Sequence, residues 1–493
     1  MLPQAASRDP HRRTLAVAGF AFALGLTQAA AAQPLASPWV GGVAFSGPAS
    51  SDLTSIYYNP AAIGVRRGTS IQLGFAGTLG TASIDRSPID PATGAPVAAG
   101  AAGARAFSGV RESVFTSTGF AALATDLGTD NVTLGIAAYT PFVEHRAPGT
   151  PQLSPGQDAP TRYHLIDLTL YHVYLTPTVT IRVADFFFIG LGLDIIFSQL
   201  GGLTLDRDTA LDGTALCSVA RQGVESDLCA ERIHTSGSAV SVGVPVGILL
   251  RPTERLDIGV SYRSGAFGTS RDDVPLIGSG VLTSSQAAVA AGQPPTQNLF
   301  ARTSVHLPHT VVAGAQLQLS PRWDLGLTAR WIHWAGEEVQ DIRLSTAATN
   351  ETSVPERIPM YRGYRDNLLV RGTAGYRRGP LRLGAGALVQ TPSVDASAVS
   401  PAVVDGWQLG GALMLEAQLG KHVAVTAGYG LRGVIPRTIT TSAFDPLYQL
   451  DCVQSRYDIP TCRLANRGRG VPQTAGDYGA LLHELGATAV LKF

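Results

Sequence analysis

Apolar and polar positions alternate along most of the chain after residue 68. From Leu256 to Tyr262 every second residue is apolar, and the positions between are Asp257, Gly259 and Ser261. The same period of two recurs at 323–331 and 422–432. Because successive side chains of an extended strand point to opposite sides, this pattern predicts β-strands with one apolar face.

Fourteen segments of this kind are predicted. They lie near 69–80, 112–125, 131–143, 166–184, 186–204, 236–251, 255–267, 304–319, 323–343, 366–377, 381–391, 406–419, 422–434 and 478–493. Six connections are tight, near 126–130, 184–185, 252–254, 320–322, 378–380 and 420–421. Seven are longer, near 81–111, 144–165, 205–235, 268–303, 344–365, 392–405 and 435–477.

Short and long connections alternate strictly, which is typical of a transmembrane β-barrel with short periplasmic turns and long external loops. The predicted fold class is therefore all-β, a 14-stranded antiparallel barrel in a Gram-negative outer membrane. An even strand count returns both termini to the periplasm. Since boundaries read from sequence carry errors of about 2–4 residues, counts of roughly 12 or 16 strands stay open.

The last predicted strand ends in an aromatic residue. Leu485, Ala487, Ala489, Leu491 and Phe493 share one face. This ending resembles the signal that the barrel-assembly machinery of the outer membrane reads, so that machinery is an expected partner during biogenesis.

The first 32 residues have the features of a secretory signal peptide. Arg12 and Arg13 precede an apolar run, and Ala30 to Ala32 form a small-residue end. This arrangement predicts export with cleavage after Ala32. A buried N-terminal helix is the alternative.

Composition agrees with a lipid-embedded barrel. Only 15% of residues are charged, mean hydropathy is +0.14, and 55 residues are glycine. The most apolar stretch, Phe186 to Phe197, is too short for a membrane-spanning helix and contains Asp194. Formal net charge is zero, without a basic block, so nucleic acid is not an expected partner.

The four cysteines form two close pairs, Cys217 with Cys229 and Cys452 with Cys462. An even, clustered set in an exported chain predicts two disulfides, each within one long connection. Metal binding is the alternative, but neither pair has CxxC spacing. No metal and no cofactor is expected.

Residues 33–68 do not alternate and contain the run Asp52-Leu-Thr-Ser-Ile-Tyr-Tyr-Asn59-Pro60-Ala61-Ala-Ile-Gly64. This run resembles the N-terminal plug, or hatch, of long-chain fatty acid transporters of the FadL, OmpP1 and TodX type. The resemblance implies a plug inside a 14-stranded barrel. It divides the chain into a signal peptide (1–32), a plug (33–68) and a barrel (69–493).

The resemblance also implies passive uptake of fatty acids or other hydrophobic small molecules. External loops would capture the ligand, the lumen would bind it, and movement of residues 33–45 would release it sideways near the third strand. The candidate lateral-gate residues are Tyr139, Pro141 and Phe142, since Pro141 interrupts ladder pairing. Outer-membrane lipids and lipopolysaccharide are expected neighbours, and the protein is expected to be a monomer.

Strand parity yields candidate ligand-binding residues in the lumen: Phe186, Phe188, Ile196, Arg330 and Arg371. An inward arginine can pair with a carboxylate head group. Two alternatives stay open, an aromatic girdle for Phe186 and Phe188 and wall ion pairs for the arginines. Gly190 and Gly192 are expected to let the plug approach the wall.

Two other functions compete with transport. An outer-membrane lipase or deacylase needs an activated nucleophile, but the sequence has no Gly-x-Ser-x-Gly motif, and Ala487 stands where a zinc motif beginning at His483-Glu484 requires histidine. An adhesin or structural barrel has no evident need of a plug. The prediction is therefore a transporter and not an enzyme.

Overall fold

The computed structural model describes residues 35, 39–42, 46–87, 109–148, 161–208, 230–267, 273–335, 339–346, 356–440, 442–444 and 474–493. The predicted signal peptide and all four cysteines lie outside the described residues. In the described part of the chain, no helix is long and apolar enough to cross a membrane.

The described residues form fourteen strands, six of them in two segments. They are β1 Thr69–Arg86, β2 Val110–Thr125, β3 Val132–Arg146, β4 Asp167–Ala184, β5 Phe187–Gly192 with Asp194–Asp208, β6 Ala230–Gly243 with Pro245–Thr253, β7 Leu256–Arg263 with Asp273–Thr283, β8 Thr296–His306 with Thr310–Gln318, β9 Trp323–Ile332 with Val339–Ser345, β10 Glu356–Tyr361 with Asn367–Arg378, β11 Leu381–Gln390, β12 Gln408–Leu419, β13 Val423–Ile439 and β14 Gly476–Lys492.

The strands close into a barrel. Each pairs antiparallel with its neighbours in the chain, and β1 also pairs with β14, from Ser70 opposite Lys492 to Arg86 opposite Gly476. A closed sheet has no edge, so every strand has a partner on both sides, which a membrane-spanning sheet requires. The predicted 14-stranded antiparallel barrel is confirmed.

The tight connections all lie at one end of the barrel, here called the turn end. Gly379 and Gly420 adopt left-handed φ values of 59° and 77° in two of them, a conformation that favours glycine. In the turn after β2, the backbone amides of Gly68 and Gly128 donate to Asp126 and hold the pKa of that carboxyl below its usual value. The opposite end, with the longer connections, is the loop end.

The strands near the loop end are longer than predicted. Residues 268–303 were expected to be a loop, but Asp273–Thr283 and Thr296–His306 are strand segments that pair over eleven positions. A short helix, α2 (Gln286–Ala290), lies between them. Similarly, Glu356–Tyr361 is strand within the predicted loop 344–365.

The two faces of the wall differ as the alternation predicts. On β9, Leu325 and Leu327 are exposed on the outside, whereas Thr328 and Arg330 are buried inside. The outward apolar residues form the surface that lipid covers in a membrane barrel. Strand parity therefore determines which side chains reach the lumen.

Residues 46–65 lie inside the barrel and are called the lumenal segment. They contain a one-turn helix, α1 (Ser55–Tyr58), and a 3₁₀ helix, Pro60–Val65. Leu53, Ile56 and Ile63 are fully buried and belong to one apolar cluster with inward side chains of the wall. The barrel is thus a packed core on this side, not an open pore.

Candidate functional site

The Asn-Pro-Ala sequence joins the two helices of the lumenal segment and is fully buried. Asn59 is extended, and its Oδ1 accepts a hydrogen bond from the backbone N of Ala61 at 3.1 Å, which caps the 3₁₀ helix. Pro60 occupies the first helical position, where the missing N–H leaves no hydrogen bond unmade.

The same residues tie the segment to the barrel wall. The Asn59 Nδ2 donates to the carbonyl oxygens of Pro48 at 2.7 Å and of Ile248 on β6 at 2.9 Å. The Thr180 Oγ1 on β4 donates to the carbonyl of Pro60 at 2.7 Å. Backbone carbonyls buried against the wall are therefore satisfied by side chains.

Glycines on the inner wall make this approach possible. A Cβ on Gly190 would lie 2.2 Å from the backbone N of Ala61, and one on Gly247 would lie 2.0 Å from the Asn59 Oδ1. Neither distance is tolerable, so a larger residue would displace the segment. The expectation for Gly190 is confirmed.

Gly192 does not play the same part. A Cβ there would meet Pro245 and Pro177 of the wall, at 2.9 and 3.1 Å, and not the lumenal segment. The expectation for Gly192 is wrong, because the atoms nearest to such a Cβ belong to the neighbouring strands β4 and β6.

A buried ion pair holds the end of α1. Arg263 on β7 pairs with Asp194 on β5, and its Nη2 donates to the carbonyls of Ile56 and Tyr57 at 3.1 and 3.0 Å. The guanidinium also lies 5.2 Å from the centre of the Tyr57 ring. A helix end leaves carbonyls unpaired, and here an arginine of the wall satisfies two of them.

Residues before the lumenal segment continue along the inside of the wall. The Trp39 Nε1 donates to the Glu484 carboxylate of β14 at 2.5 Å. Arg432 on β13 pairs with the same carboxylate at 2.9 Å and donates to the carbonyl of Leu35 at 3.0 Å. This chain segment is thus held by polar contacts with β13 and β14.

Arg330 and Arg371 both point into the lumen, as strand parity predicted, and are buried. Arg371 donates to the carbonyl of Ser46, and its guanidinium lies 4.5 Å from the centre of the Trp39 ring. Arg330 is within hydrogen-bonding reach of Tyr57. Neither arginine forms an ion pair within the described part of the chain, and the Nε of each has no hydrogen-bond partner there.

The ladder between β2 and β3 is interrupted. It pairs Phe120–Thr125 with Leu134–Tyr139 and resumes only at Phe115 with His145. The stretches 116–119 and 140–144 between these pairs are called the β2–β3 gap. On its other side, β3 shifts register against β4 between Tyr139 and Phe142, the stretch that contains Pro141.

The predicted gate residues therefore lie at a real irregularity of the wall. Proline lacks the N–H that a ladder needs, which explains the shift. Tyr139 is buried, and its hydroxyl hydrogen-bonds Thr176 at 2.9 Å. The Gly119 amide donates to the Thr140 hydroxyl at 2.8 Å instead of to a strand carbonyl.

A polar cavity of about 590 Å³ lies at the turn end. Its roof is formed by Ser46 and Ala49–Asp52. Seven cationic and five acidic side chains line it, namely Arg66, Arg251, Arg255, Arg322, Arg377, Arg382 and Lys492 with Asp52, Glu254, Asp257, Asp324 and Glu416. Such a lining suits water and ions, not an apolar molecule.

Two of the three predicted apolar lumen residues are correctly placed. Phe188 is buried against Ala61 and Ala62, and Ile196 lies in the main apolar cluster. Phe186 is wrong as a lumen residue, because it lies in the turn before β5 and is 57% exposed. Its position fits the girdle alternative.

Sequence reasoning missed the ion pair of Arg263 and Asp194. Both residues lie on predicted inward faces, so a search for opposite charges on the lumen side of nearby strands was the signal that could have found it. Among the described residues there is also no cluster of three or more potential metal ligands.

The comparisons with known proteins place these features in context. The family described as "Outer membrane protein transport protein (OMPP1/FadL/TodX)" matches residues 14–400. The comparison with curated proteins gives no match.

Several solved structures share the fold. A Pseudomonas aeruginosa FadL homologue is 16% identical, with 95% of this chain and 100% of that chain covered and a TM-score of 0.70. The Pseudomonas putida toluene transporter TodX is 11% identical, with 95% and 99% covered and a TM-score of 0.59. The Ralstonia pickettii toluene transporter TbuX is 13% identical, with 94% and 98% covered and a TM-score of 0.56. The matched family is one of transport proteins, and no enzyme is named among these relatives.

Proposed function

Since the chain belongs to the outer-membrane transport proteins of the OMPP1/FadL/TodX family, we propose that it takes up hydrophobic small molecules bearing a carboxylate, such as long-chain fatty acids. Uptake is passive and follows the gradient of the cargo. No cofactor takes part, and the protein acts as a monomer with both termini in the periplasm.

The proposal that the cargo bears a carboxylate rests on Arg330 and Arg371. The two guanidinium groups are buried near each other, and neither forms an ion pair among the described residues, although Asp52 is near enough to Arg371 to attract its charge. Burying an unpaired charge is unfavourable, so an anion that enters the lumen gains from pairing with them. Arginine binds a carboxylate through two parallel hydrogen bonds.

The surroundings of these arginines suit the rest of such a molecule. The rings of Trp39, Tyr57 and Tyr58 lie beside them, and the apolar cluster of the lumen continues towards the loop end. Transfer of apolar surface out of water contributes about 25 cal/mol per Å². Head group and chain therefore have separate places to bind.

The route out is proposed to run sideways through the β2–β3 gap, with Tyr139, Pro141 and Phe142 at its edge. The alternative exit leads down through the cavity at the turn end. An apolar chain would lose its burial among the twelve charged side chains there. A lateral exit delivers it directly to lipid.

The plug function is assigned to residues 33–68, with 33–45 as the moving part. Asn59 and Arg263 anchor the lumenal segment to the wall, which supports a plug whose second half stays in place. Deleting residues 33–37 should impair uptake while the barrel stays folded, and unchanged uptake would remove this mechanism.

The test of the cargo compares a labelled C18 carboxylate with the C18 alcohol in liposomes that contain the purified protein. The wild type should take up the carboxylate faster. Arg371→Met should abolish this preference, whereas Arg111→Met, at an exposed position of β2, should retain it. Equal rates for acid and alcohol in the wild type would show that the cargo is neutral. Mass spectrometry of the copurified ligand gives an independent answer.

A further inference from the structure

Glu112 on β2 and Arg146 on β3 form an ion pair on the loop side of the β2–β3 gap. The Arg146 Nε and Nη2 donate to the two Glu112 carboxylate oxygens at 3.1 and 2.6 Å, and both side chains are fully buried. The Glu112 Oε1 also accepts from the backbone N of Ala147 at 3.1 Å. We call this arrangement the Glu112–Arg146 clamp. It joins the loop ends of β2 and β3, where the ladder between the two strands has the pair Phe115–His145.

Arg146 also reaches across the barrel to the connection between β11 and β12, residues 391–407. Its Nη1 donates to the carbonyl of Ala402 at 2.7 Å, and its Nη2 donates to the carbonyl of Pro401 at 2.8 Å. A tight turn closed between Ser400 and Val403 presents these carbonyls. One guanidinium therefore binds β2 and a loop from the opposite wall.

The 391–407 loop is folded into the mouth of the barrel. Ala398, Val399 and Val404 are fully buried and belong to the apolar cluster that also contains Val114 and Tyr139. A molecule that enters through this part of the mouth must displace these residues to reach the lumen.

Displacing the loop changes the environment of Arg146. The guanidinium loses two carbonyl acceptors in a site where donors need partners. Water that replaces the loop also screens its attraction to Glu112, since charge pairs weaken as the local dielectric rises. The clamp is therefore strongest when the loop is in place.

We propose that Arg146 is a positioning residue for lateral release, because it couples the 391–407 loop to the width of the β2–β3 gap. With the loop seated, the clamp holds β2 and β3 together. Entering cargo displaces the loop, the clamp loosens, and the gap widens towards the membrane. This inference rests on the lateral route proposed above.

The experiment removes both charges together, so that neither is left buried alone. Glu112→Met with Arg146→Met is compared with Arg251→Met plus Asp257→Met, an ion pair of 2.7 Å between β6 and β7 at the turn end. The control pair lies beside a tight turn, away from the long loops, where the ladder has only a one-residue shift between Leu250 and Thr253. Uptake of the labelled C18 carboxylate and hydrogen exchange of the backbone amides are measured on each.

The clamp variant should take up cargo about 5-fold faster or more, within the range usual for coupled elements. Amides at 140–147 and 398–404 should exchange faster, and the control should match the wild type. Arg146→Lys keeps the charge but not the forked set of donors. Its uptake rate should lie between those of the wild type and the clamp variant. An unchanged rate in the clamp variant, or an equal rise in the control, overturns the proposal.

Two further outcomes are decisive. If the methionine pair does not fold, Glu112→Gln with Arg146→Gln replaces it with the same expectations. If the wild type shows no uptake above empty liposomes, the proposed function fails. In that case amide exchange still tests the clamp by itself. Exchange at 140–147 and 398–404 that is the same in the clamp variant as in the wild type contradicts the clamp.

Discussion

The side-chain amide nitrogen of Asn59 lies 2.9 Å from the carbonyl oxygen of Ile248, a residue 189 positions later in the chain. The contact joins the lumenal segment to the second segment of β6, near the turn end. Because Asn59 also caps the 3₁₀ helix and binds Pro48, one side chain fixes the fold of the segment and its position in the barrel.

Replacing Asn59 by alanine should loosen the segment without opening the barrel. Two buried carbonyls lose a donor, and each unsatisfied group costs about 1–3 kcal/mol. Backbone amides of residues 53–65 should therefore exchange faster, while those of β13 and β14 keep their protection. Asn59→Asp keeps the cap to Ala61 but loses both donated bonds. The amides of residues 53–65 should therefore also exchange faster in this variant. Wild-type protection in both variants would contradict this role.

Gly190→Ala should push the lumenal segment off the wall. The new Cβ would lie 2.2 Å from the backbone of Ala61. Single-channel recording in planar bilayers should show larger ion conductance than in the wild type. Gly372→Ala is the matched control, since a Cβ there meets no atom within 4 Å. Equal conductance of both variants would mean that the segment tolerates the methyl group.

Arg263→Met should destabilise the protein strongly, because Asp194 is left as a buried, uncompensated charge. Breaking such a pair typically costs about 3–5 kcal/mol. The temperature at which the folded band disappears on a heated gel should fall. Arg263→Met with Asp194→Leu should recover most of the loss, since apolar replacements of buried pairs are often neutral. A double variant as unstable as the single one would place the cost in the lost carbonyl contacts.

Asp405 should make the seating of the 391–407 loop depend on pH. Burial raises the pKa of this carboxyl to about 6, although its Oδ2 accepts bonds from the amides of Ser393 and Val394. A raised carboxyl pKa means that the seated loop binds the proton more tightly than the displaced loop. Its stability is therefore full below about pH 4 and declines as pH rises through about 6.

The measurement is the protection of the Ser393 and Val394 amides against exchange. Protection should fall roughly 10- to 100-fold between pH 4 and 7, since a pKa difference of one corresponds to a tenfold change. Asp405→Asn should remove most of this dependence. A flat wild-type profile would contradict the assignment.

Strand parity was sufficient to predict much of the wall and part of the site. Arg330 and Arg371 were placed inside because a period of two assigns every side chain of a strand to one face. Phe186 was misplaced because it lies in a turn, where this rule ends.

Other features needed the folded chain. The segment Asp273–Thr283 was missed because Pro275, Gly278 and Gly280 dilute its alternation, although it pairs fully with β8. The contact of Arg146 with Pro401 spans 255 positions, and no local pattern specifies where a long connection folds.

The β2–β3 gap has a consequence for how cargo meets the bilayer. With a rise of about 2.5 Å per residue along the barrel axis, Thr116–Gly119 lie about 15–25 Å from the turn end, within the lipid-facing band. Hydrocarbon tails offer peptide groups no hydrogen bonds, so peptide groups at the edge of the β2–β3 gap favour water as a partner. On the proposed lateral route, an amphiphile would therefore meet hydrated peptide groups for its head group and hydrocarbon for its tail at the same place in the wall.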